Sequence, residues 1–402
     1  MKNLIKLTFL LVAFFSFPAL LRAQNYDSGS GLRNIDGIWY KFETSNGINT
    51  AKVGPSLSLY KKGSTSFYYY DPYAGEITIP ETVTYNNKTY TVVGFVYLQV
   101  KHKDPVTNKP TAKLTYPFQN SSITTITIPK TVTDICDHCF ISSKSLTTVV
   151  WTDEITSIGV NAFAACSALK YLIIPGRNPK EGENLLPSKL RHLKDGAFKQ
   201  CTSLESIRIP ACLEYKDFQS TAQTGWGKET FIDCTALKTV YIEGSPEEGT
   251  HEYIGQRAFD NCPSLQNVAV SGHIKGFHQR SFGLKTAGST TPLTEMHFTG
   301  NVPPKRVTQH GDFINYPTQI YAVVSPDLTP AEKQAWQDWV QPPFIGIRYN
   351  SIVGVDTVVD SEEDVPAEYF TISGMKVDGG NMAPGIYIER KGSKTRKIVI
   401  TQ

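Results

Sequence analysis

Residues 158–174 read IGVNAFAACSALKYLII, and residues 254–270 read IGQRAFDNCPSLQNVAV. The two strings agree at Ile, Gly, Ala, Phe, Cys and Leu, and each then places apolar residues three and five positions after the Leu. That final pair has the two-residue period of a strand. Six segments share the apolar i, i+3, i+5 pattern: Ile123–Ile128, Leu146–Trp151, Leu169–Ile174, Leu204–Ile209, Leu237–Ile242 and Leu265–Val270. A looser seventh is Leu293–Phe298. Phe140, Phe163, Phe198, Phe231 and Phe259 each stand six residues before the Leu, while Phe118 and Phe282 keep the order at other spacings. Five residues before each of the last six of these Phe comes another apolar side chain: Ile135, Ile158, Leu193, Trp226, Ile254 and Phe277. The base unit is about 23 residues, lengthened by insertions near 176–187, 212–225, 244–252 and 283–292, with a fifth at 96–116 ahead of the first repeat Phe. A unit this short cannot bury its apolar stripe alone; stacked units can, and their strands then form one long parallel sheet.

The pattern I-x-x-x-A-F-x-x-C-x-x-L-x-x-I-x-I-P resembles the BspA-like leucine-rich repeat family of bacterial surface proteins, and the resemblance covers roughly residues 77–300. The expected fold is therefore a mostly β repeat solenoid with a leucine-rich-repeat parallel sheet. Residues 24–76, with Asp36 to Tyr40 at their start, read as a β-rich N-terminal cap, since an open solenoid end would expose core and strand edges. Thr329-Pro330-Ala331-Glu332 is a capping box with Pro at the first helical position. It predicts a helix over 330–340 within a C-terminal cap at 301–350. Trp336, Trp339 and Val340 share one face of that helix, as packing residues or as an aromatic ligand platform.

Both termini carry their own signals. Lys2 and Lys6, an uncharged run from Leu7 to Leu21 and the small Ala23 read as a secretory signal peptide over 1–23. The competing reading is a membrane anchor, which needs roughly 20 apolar residues. Residues 351–368, holding Asp356, Asp360, Glu362, Glu363, Asp364 and Glu368 without a base, read as a solvated acidic linker. The strand pattern then returns over 369–402. Gly374, Val377, Pro384 to Tyr387 and Lys397 to Ile400 resemble the small C-terminal sorting domains of Bacteroidota secreted proteins, which address cargo to type IX secretion. An ordinary small β module is the other reading.

The 402 residues carry 40 Lys+Arg and 37 Asp+Glu, a formal charge of +3. Removing Lys2, Lys6 and Arg22 with the signal leaves 37 bases against 37 acids. This balance excludes an electrostatic nucleic-acid binder. Charged residues at 19% and hydrophobic ones at 40% exclude wholesale disorder. Seven Cys are too few for a disulfide-dense scaffold. Cys166, Cys201, Cys234 and Cys262 each follow the repeat Phe by three, which predicts a buried structural column of small side chains. Cys136 and Cys139 form the one C-x-x-C, without the thioredoxin-like context or second ligand pair that redox or zinc chemistry would want. No hydrolase, phosphate-loop, EF-hand or dinucleotide motif occurs, so no enzyme, metal or cofactor is expected.

In a leucine-rich strand the residues between buried positions face outward on the concave side. Most of these are small and polar, but Val150, Tyr171, Ile173, Arg208 and Tyr241 form an amphipathic group, the expected binding patch. Plain β-propensity would also supply Val, Ile and Tyr. The family resemblance implies a non-enzymatic, exported cell-surface protein mediating protein binding and adhesion. The implied partners are host matrix or serum glycoproteins, epithelial surfaces or other bacteria, and the implied location includes attachment at the outer-membrane surface. No transmembrane segment is expected after signal cleavage. The alternative is a glycan-binding accessory protein in carbohydrate capture, with Tyr68, Tyr69, Tyr70 and Tyr73 as sugar-stacking rings.

Overall fold

The computed structural model describes residues 31–62, 65–103, 110–177, 184–211, 213, 226–244, 253–284, 291–305, 313–316 and 319–350, together with strands in 368–371, 376–377, 385–391 and 394–400. The expected signal peptide and residues 351–367 of the acidic stretch lie outside these. The chain divides into two compact units, 1–353 and 354–402.

Each i, i+3, i+5 segment of the larger unit forms one strand, and successive strands pair in parallel as rungs, except the fourth with the fifth. Rungs one to four are Ala74–Thr78, Ser122–Thr127, Thr148–Val150 and Tyr171–Ile173. Rungs five to ten are Ser206–Ile209, Thr239–Glu243, Asn267–Ser271, Glu295–Phe298, Ile320–Val324 and Phe344–Tyr349. The i+3 residues lie in register, Ile126 opposite Val149 opposite Leu172, and Ile207 opposite Val240 opposite Val268. Shorter parallel ladders form where the other apolar column predicts them. One joins Asp134–Ile135, Ser157–Ile158 and His192–Leu193, and another joins Tyr253–Ile254 to Gly276–Phe277.

Between the ladders the Phe rings stack in one column. Centroid separations run 5.0, 4.8, 5.1, 5.4, 5.4, 5.1 and 5.0 Å from Phe118 through Phe140, Phe163, Phe198, Phe231, Phe259 and Phe282 to Phe313. The spacing follows from strand separation, because each ring repeats the backbone above it. The turns holding Phe140, Phe163, Phe198, Phe231 and Phe259 are fixed by residues in the left-handed region two before and two after the Phe, such as Asn161 and Ala165 around Phe163. Adjacent turns join through their backbones: the N–H of Phe140, Phe163, Phe198 and Phe231 donates to the carbonyl of Ala162, Ala197, Thr230 and Ala258.

The Cys column hydrogen-bonds as well as packs. Cys166, Cys201, Cys234 and Cys262 are buried and free, and their S–H groups donate to the carbonyls of Phe140, Phe163, Phe198 and Phe231 at 3.1–3.3 Å. Burial pushes the Cys166 and Cys234 thiols up to about 12, so they stay protonated donors. Ser143 occupies the same position one turn earlier and donates to the Phe118 carbonyl. Cys201→Ser, which keeps the donor, is therefore expected to cost about 1 kcal/mol, and Cys201→Ala, which removes it and leaves a small void, about 2. The order of urea midpoints would check this.

The repeats do not end near residue 300. Phe313 stacks on Phe282 at an interplanar angle of 7°, and Ile320–Val324 and Phe344–Tyr349 add two parallel rungs. The pattern breaks there because Gln319 holds the Leu position and Ala322 the i+3 position. The Gln319 amide donates to the carbonyls of Thr291 and Leu293, replacing apolar burial with hydrogen bonds. The helix spans Pro330–Trp339 with Val340 as its C-cap, and the Thr329/Glu332 capping box is formed. It does not terminate the sheet as a cap would, since rung ten follows it. Trp336 and Trp339 are buried against Phe298, Phe344 and each other, which leaves no aromatic platform.

At the other end, the expected boundary between residues 76 and 77 is an interleaving. Ala74–Thr78 joins the repeat sheet, but Thr82–Tyr85 and Lys88–Phe95 return to a sheet with Leu32–Ile35, Ile38–Ser45 and Ile48–Val53. A further sheet orders Pro110–Thr115, Leu98–Lys103, Thr65–Tyr70 and Leu57–Lys62.

In the second unit, Lys376–Val377, Glu368–Thr371, Gly385–Lys391 and Lys394–Ile400 form one antiparallel sheet in that order.

Candidate interaction face on the parallel sheet

Strand alternation sends the i+2 and i+4 residues of every rung away from the Phe column. On rungs three and four, Thr148 lies opposite Tyr171 and Val150 opposite Ile173. Tyr171 is 45% and Ile173 40% exposed, with Val150 half-buried beside them. The Lys170 ammonium sits 5.5 Å from the Tyr171 ring centroid.

The expected five-residue patch does not continue from there. Rungs four and five are not paired with each other. The insertion after rung four re-enters between them as Asn184, Leu185 and Leu186. The Asn184 side chain accepts from the Leu172 N–H at 2.7 Å and donates to the Lys170 and Ser206 carbonyls at 2.9 and 3.2 Å. Its backbone carbonyl accepts from the Arg208 N–H at 2.8 Å, and the Leu186 N–H donates to the Arg208 carbonyl at 3.1 Å. A short inserted segment thus satisfies both strand edges.

Arg208 is 7% exposed, so it is no free anchor. Its guanidinium lies 4.9 Å from the Tyr241 centroid and 3.3 Å from a Glu243 carboxylate oxygen. Burial of a charged head is tolerated when it is paired and hydrogen-bonded in this way. The structure therefore brings Val150, Tyr171 and Ile173 together on one side of the wedge, and Arg208 with Tyr241 on the other.

A second Arg–Tyr pair went unseen in the sequence because rungs nine and ten did. Arg348 lies 3.7 Å from the Tyr321 centroid and pairs with Glu295. His297 Nε2 stands 3.7 Å from Glu295, and burial holds its imidazole pKa below the usual value, with the Glu295 charge opposing that shift. Tyr241, Ala269, His297 and Val323 are consecutive cross-strand neighbours. Ala269 is buried while Asn267 beside it is exposed, which makes a low floor between the two Arg–Tyr pairs. Three parallel strand spacings set its width at about 14 Å.

The tyrosines named for sugar stacking fare differently. Tyr73 is buried, accepts from the Trp39 N–H and donates to the Gly54 carbonyl, so it is a core residue and presents no ring face. Tyr70 is half-buried and donates to the Gln119 carbonyl. The Tyr68 and Tyr69 side chains lie outside the described residues. Among the described residues no three His, Cys, Asp or Glu side chains converge as a metal site, and no helix is long and apolar enough to cross a membrane.

Stacked parallel rungs with an apolar i, i+3, i+5 strand and a ring column behind it define a leucine-rich-repeat solenoid. Its type is specified by sequence: residues 114–223 and 182–287 match the model of the BspA type leucine rich repeat region, in 6 copies. That stretch carries BspA-type leucine-rich repeats. A leucine-rich repeat protein from Bacteroides ovatus ATCC 8483 is similar in structure at 17% identity over 73% of this chain and 79% of that one, with a TM-score of 0.39. The leucine rich repeat protein of T. pallidum is similar at 18% identity over 63% and 97% of the two chains, with a TM-score of 0.33. A leucine rich cell surface protein from Faecalibacterium prausnitzii A2-165 is similar at 16% identity over 80% and 95%, with a TM-score of 0.29. A search of curated proteins finds no match.

Proposed function

We propose that this chain is a non-enzymatic, exported cell-surface protein whose solenoid binds a protein partner through the outward face of its parallel sheet. The observation that carries this reading is the exposed pair Tyr171 and Ile173 with Val150 beside them, an apolar spot on a largely polar face. Rigid aromatic and branched side chains held on strands lose little entropy on binding and supply the anchors around which interfaces concentrate their energy. The Arg208–Tyr241 and Arg348–Tyr321 pairs, held by Glu243 and Glu295, act as fixed polar walls beyond the wedge. By the same family resemblance, matrix and serum glycoproteins are the partner class to try first, and the C-terminal sheet is read as the sorting module of an exported protein.

The test uses the double variant Tyr171→Thr/Ile173→Thr, which keeps strand-compatible residues at exposed positions. Affinity for immobilised matrix and serum glycoproteins is expected to fall at least about tenfold while the thermal melt is unchanged. Equal binding by the variant would remove the patch from the mechanism. Sugar binding on a glycan array, undiminished in the variant, would favour the carbohydrate-capture reading instead.

A further inference from the structure

Cys136 and Cys139 lie on one tight turn. The Cys139 N–H donates to the Cys136 carbonyl at 3.3 Å, closing a four-residue turn whose third residue, His138, has a φ of 56°. Such a turn holds its first and last Cα within about 7 Å. Disulfides bridge Cα separations of about 4.4–6.8 Å. The Cys136 thiol is also a hydrogen-bonding neighbour of the Cys139 thiol. Cys139 is buried and Cys136 is partly exposed, so one sulfur is reachable and the other sheltered behind it.

The position of Cys136 is informative. Four residues before the repeat Phe, Lys194 and His278 stand in two later turns, and Gly159, Gly227 and Gly255 in three. A Cβ there would lie 2.5, 2.4 and 2.4 Å from backbone atoms of the preceding turn. Cys136 follows Asp134–Ile135, the outermost strand of its ladder, where the insertion before the first repeat replaces a regular turn. A side chain fits at that edge. Cys139 stands where Ala162, Ala197 and Ala258 fill the later copies. Neither Cys is required by the repeat, unlike the four column thiols, each of which donates to a carbonyl in the core.

We propose that Cys136 and Cys139 are a redox pair that closes to an intra-turn disulfide by exchange with a small organic disulfide. The Cys136 thiol loses its proton to water, and the thiolate attacks one sulfur of the organic disulfide. That S–S bond breaks and the first small thiolate leaves, taking a proton from water. The Cys139 thiol then loses its proton and attacks the Cys136 sulfur, expelling the second small thiolate. The two cysteines together give up two electrons and two protons, and the organic disulfide is reduced to two thiols. Burial pushes the Cys139 thiol up, which makes the second exchange the slower one.

The full chain would be incubated with oxidised glutathione, quenched in acid, denatured, alkylated and digested with trypsin. The peptide from Thr131 to Lys144 contains Cys136 and Cys139 and no other Cys. In the wild type it is expected to lack two hydrogens and take no alkyl group, while Cys166, Cys201, Cys234 and Cys262 alkylate fully. Cys139→Ala, which installs the residue of the later copies, is expected to stop at the mixed disulfide and retain glutathione on Cys136. A wild-type peptide that takes two alkyl groups, or that keeps glutathione without closing, would overturn the proposal.

Discussion

Phe198→Ala is expected to lower the unfolding free energy by about 4 kcal/mol, the middle of the range for deleting a fully buried aromatic ring. Phe198 lies 5.1 Å from Phe163 and 5.4 Å from Phe231, with interplanar angles of 6° and 2°. Its removal therefore breaks two stacked contacts and opens a void that the repeating backbone cannot close. The location adds a second effect. Rungs four and five are not paired, so the two halves of the solenoid are held together by the Phe163–Phe198 stack, by the short pairing of Ser157–Ile158 with His192–Leu193, by turn hydrogen bonds such as Asn161 N–H to Asp195 O at 2.9 Å, and by the Asn184 wedge. Repeat proteins unfold as coupled neighbours, and cooperativity fails where an interface is weakened. Urea unfolding of Phe198→Ala followed by circular dichroism should then show two transitions. Phe259→Ala, in the ring column behind the continuous six-strand sheet, where rungs six and seven are paired, should show a comparable loss in one transition. Hydrogen exchange would assign the early transition to one side of residue 184. A cost below about 1 kcal/mol, or a single transition in both variants, would show that the ring column does not couple the halves.

The ladder was legible because the same physical demand recurs at each turn. A buried i, i+3, i+5 strand, a ring six residues before it and a small donor three after the ring all repeat in the letters. Gln319 and Ala322 hid rung nine by meeting the demand another way, with amide hydrogen bonds where other rungs use Leu. The C-x-x-C at Cys136 and Cys139 was visible as letters, but only the fold shows that it sits at a ladder edge, at a position that three later copies fill with Gly. The candidate face was half legible. Alternation gave the outward direction of Tyr171, Ile173, Arg208 and Tyr241. It could not show that Arg208 is covered, because its neighbours Tyr241 and Glu243 are a rung apart and the wedge comes from an insertion that reads as an ordinary loop. Sequence alternation treats strands as evenly stacked. The break in stacking depends on three hydrogen-bonding groups of one Asn, and no periodicity records that.

Asn184→Ala is expected to cost about 3 kcal/mol and to loosen one strand edge selectively. Asn184 is 5% exposed, and its side chain makes hydrogen bonds to Leu172 N–H, Lys170 O and Ser206 O at 2.7, 2.9 and 3.2 Å. Truncation leaves these backbone groups without that partner in a region with little water, and each buried orphan costs about 1–3 kcal/mol, reduced where solvent enters the new space. Asn184→Asp should be no better. It keeps an acceptor for the Leu172 N–H but turns an anion toward the Lys170 and Ser206 carbonyls, where an N–H₂ had donated. The backbone carbonyl of residue 184 still accepts from Arg208 N–H in every variant. Hydrogen exchange should therefore accelerate strongly at Leu172 and only weakly at Arg208. Equal acceleration at both amides would mean that the whole segment had left the gap rather than losing one side chain. No acceleration at either would mean that Leu185 and Leu186 hold the wedge by apolar burial alone. The selective outcome would identify Asn184 as the residue that lets this solenoid carry an insertion inside its sheet, and so sets the separation between the Tyr171–Ile173 spot and the Arg208–Tyr241 pair.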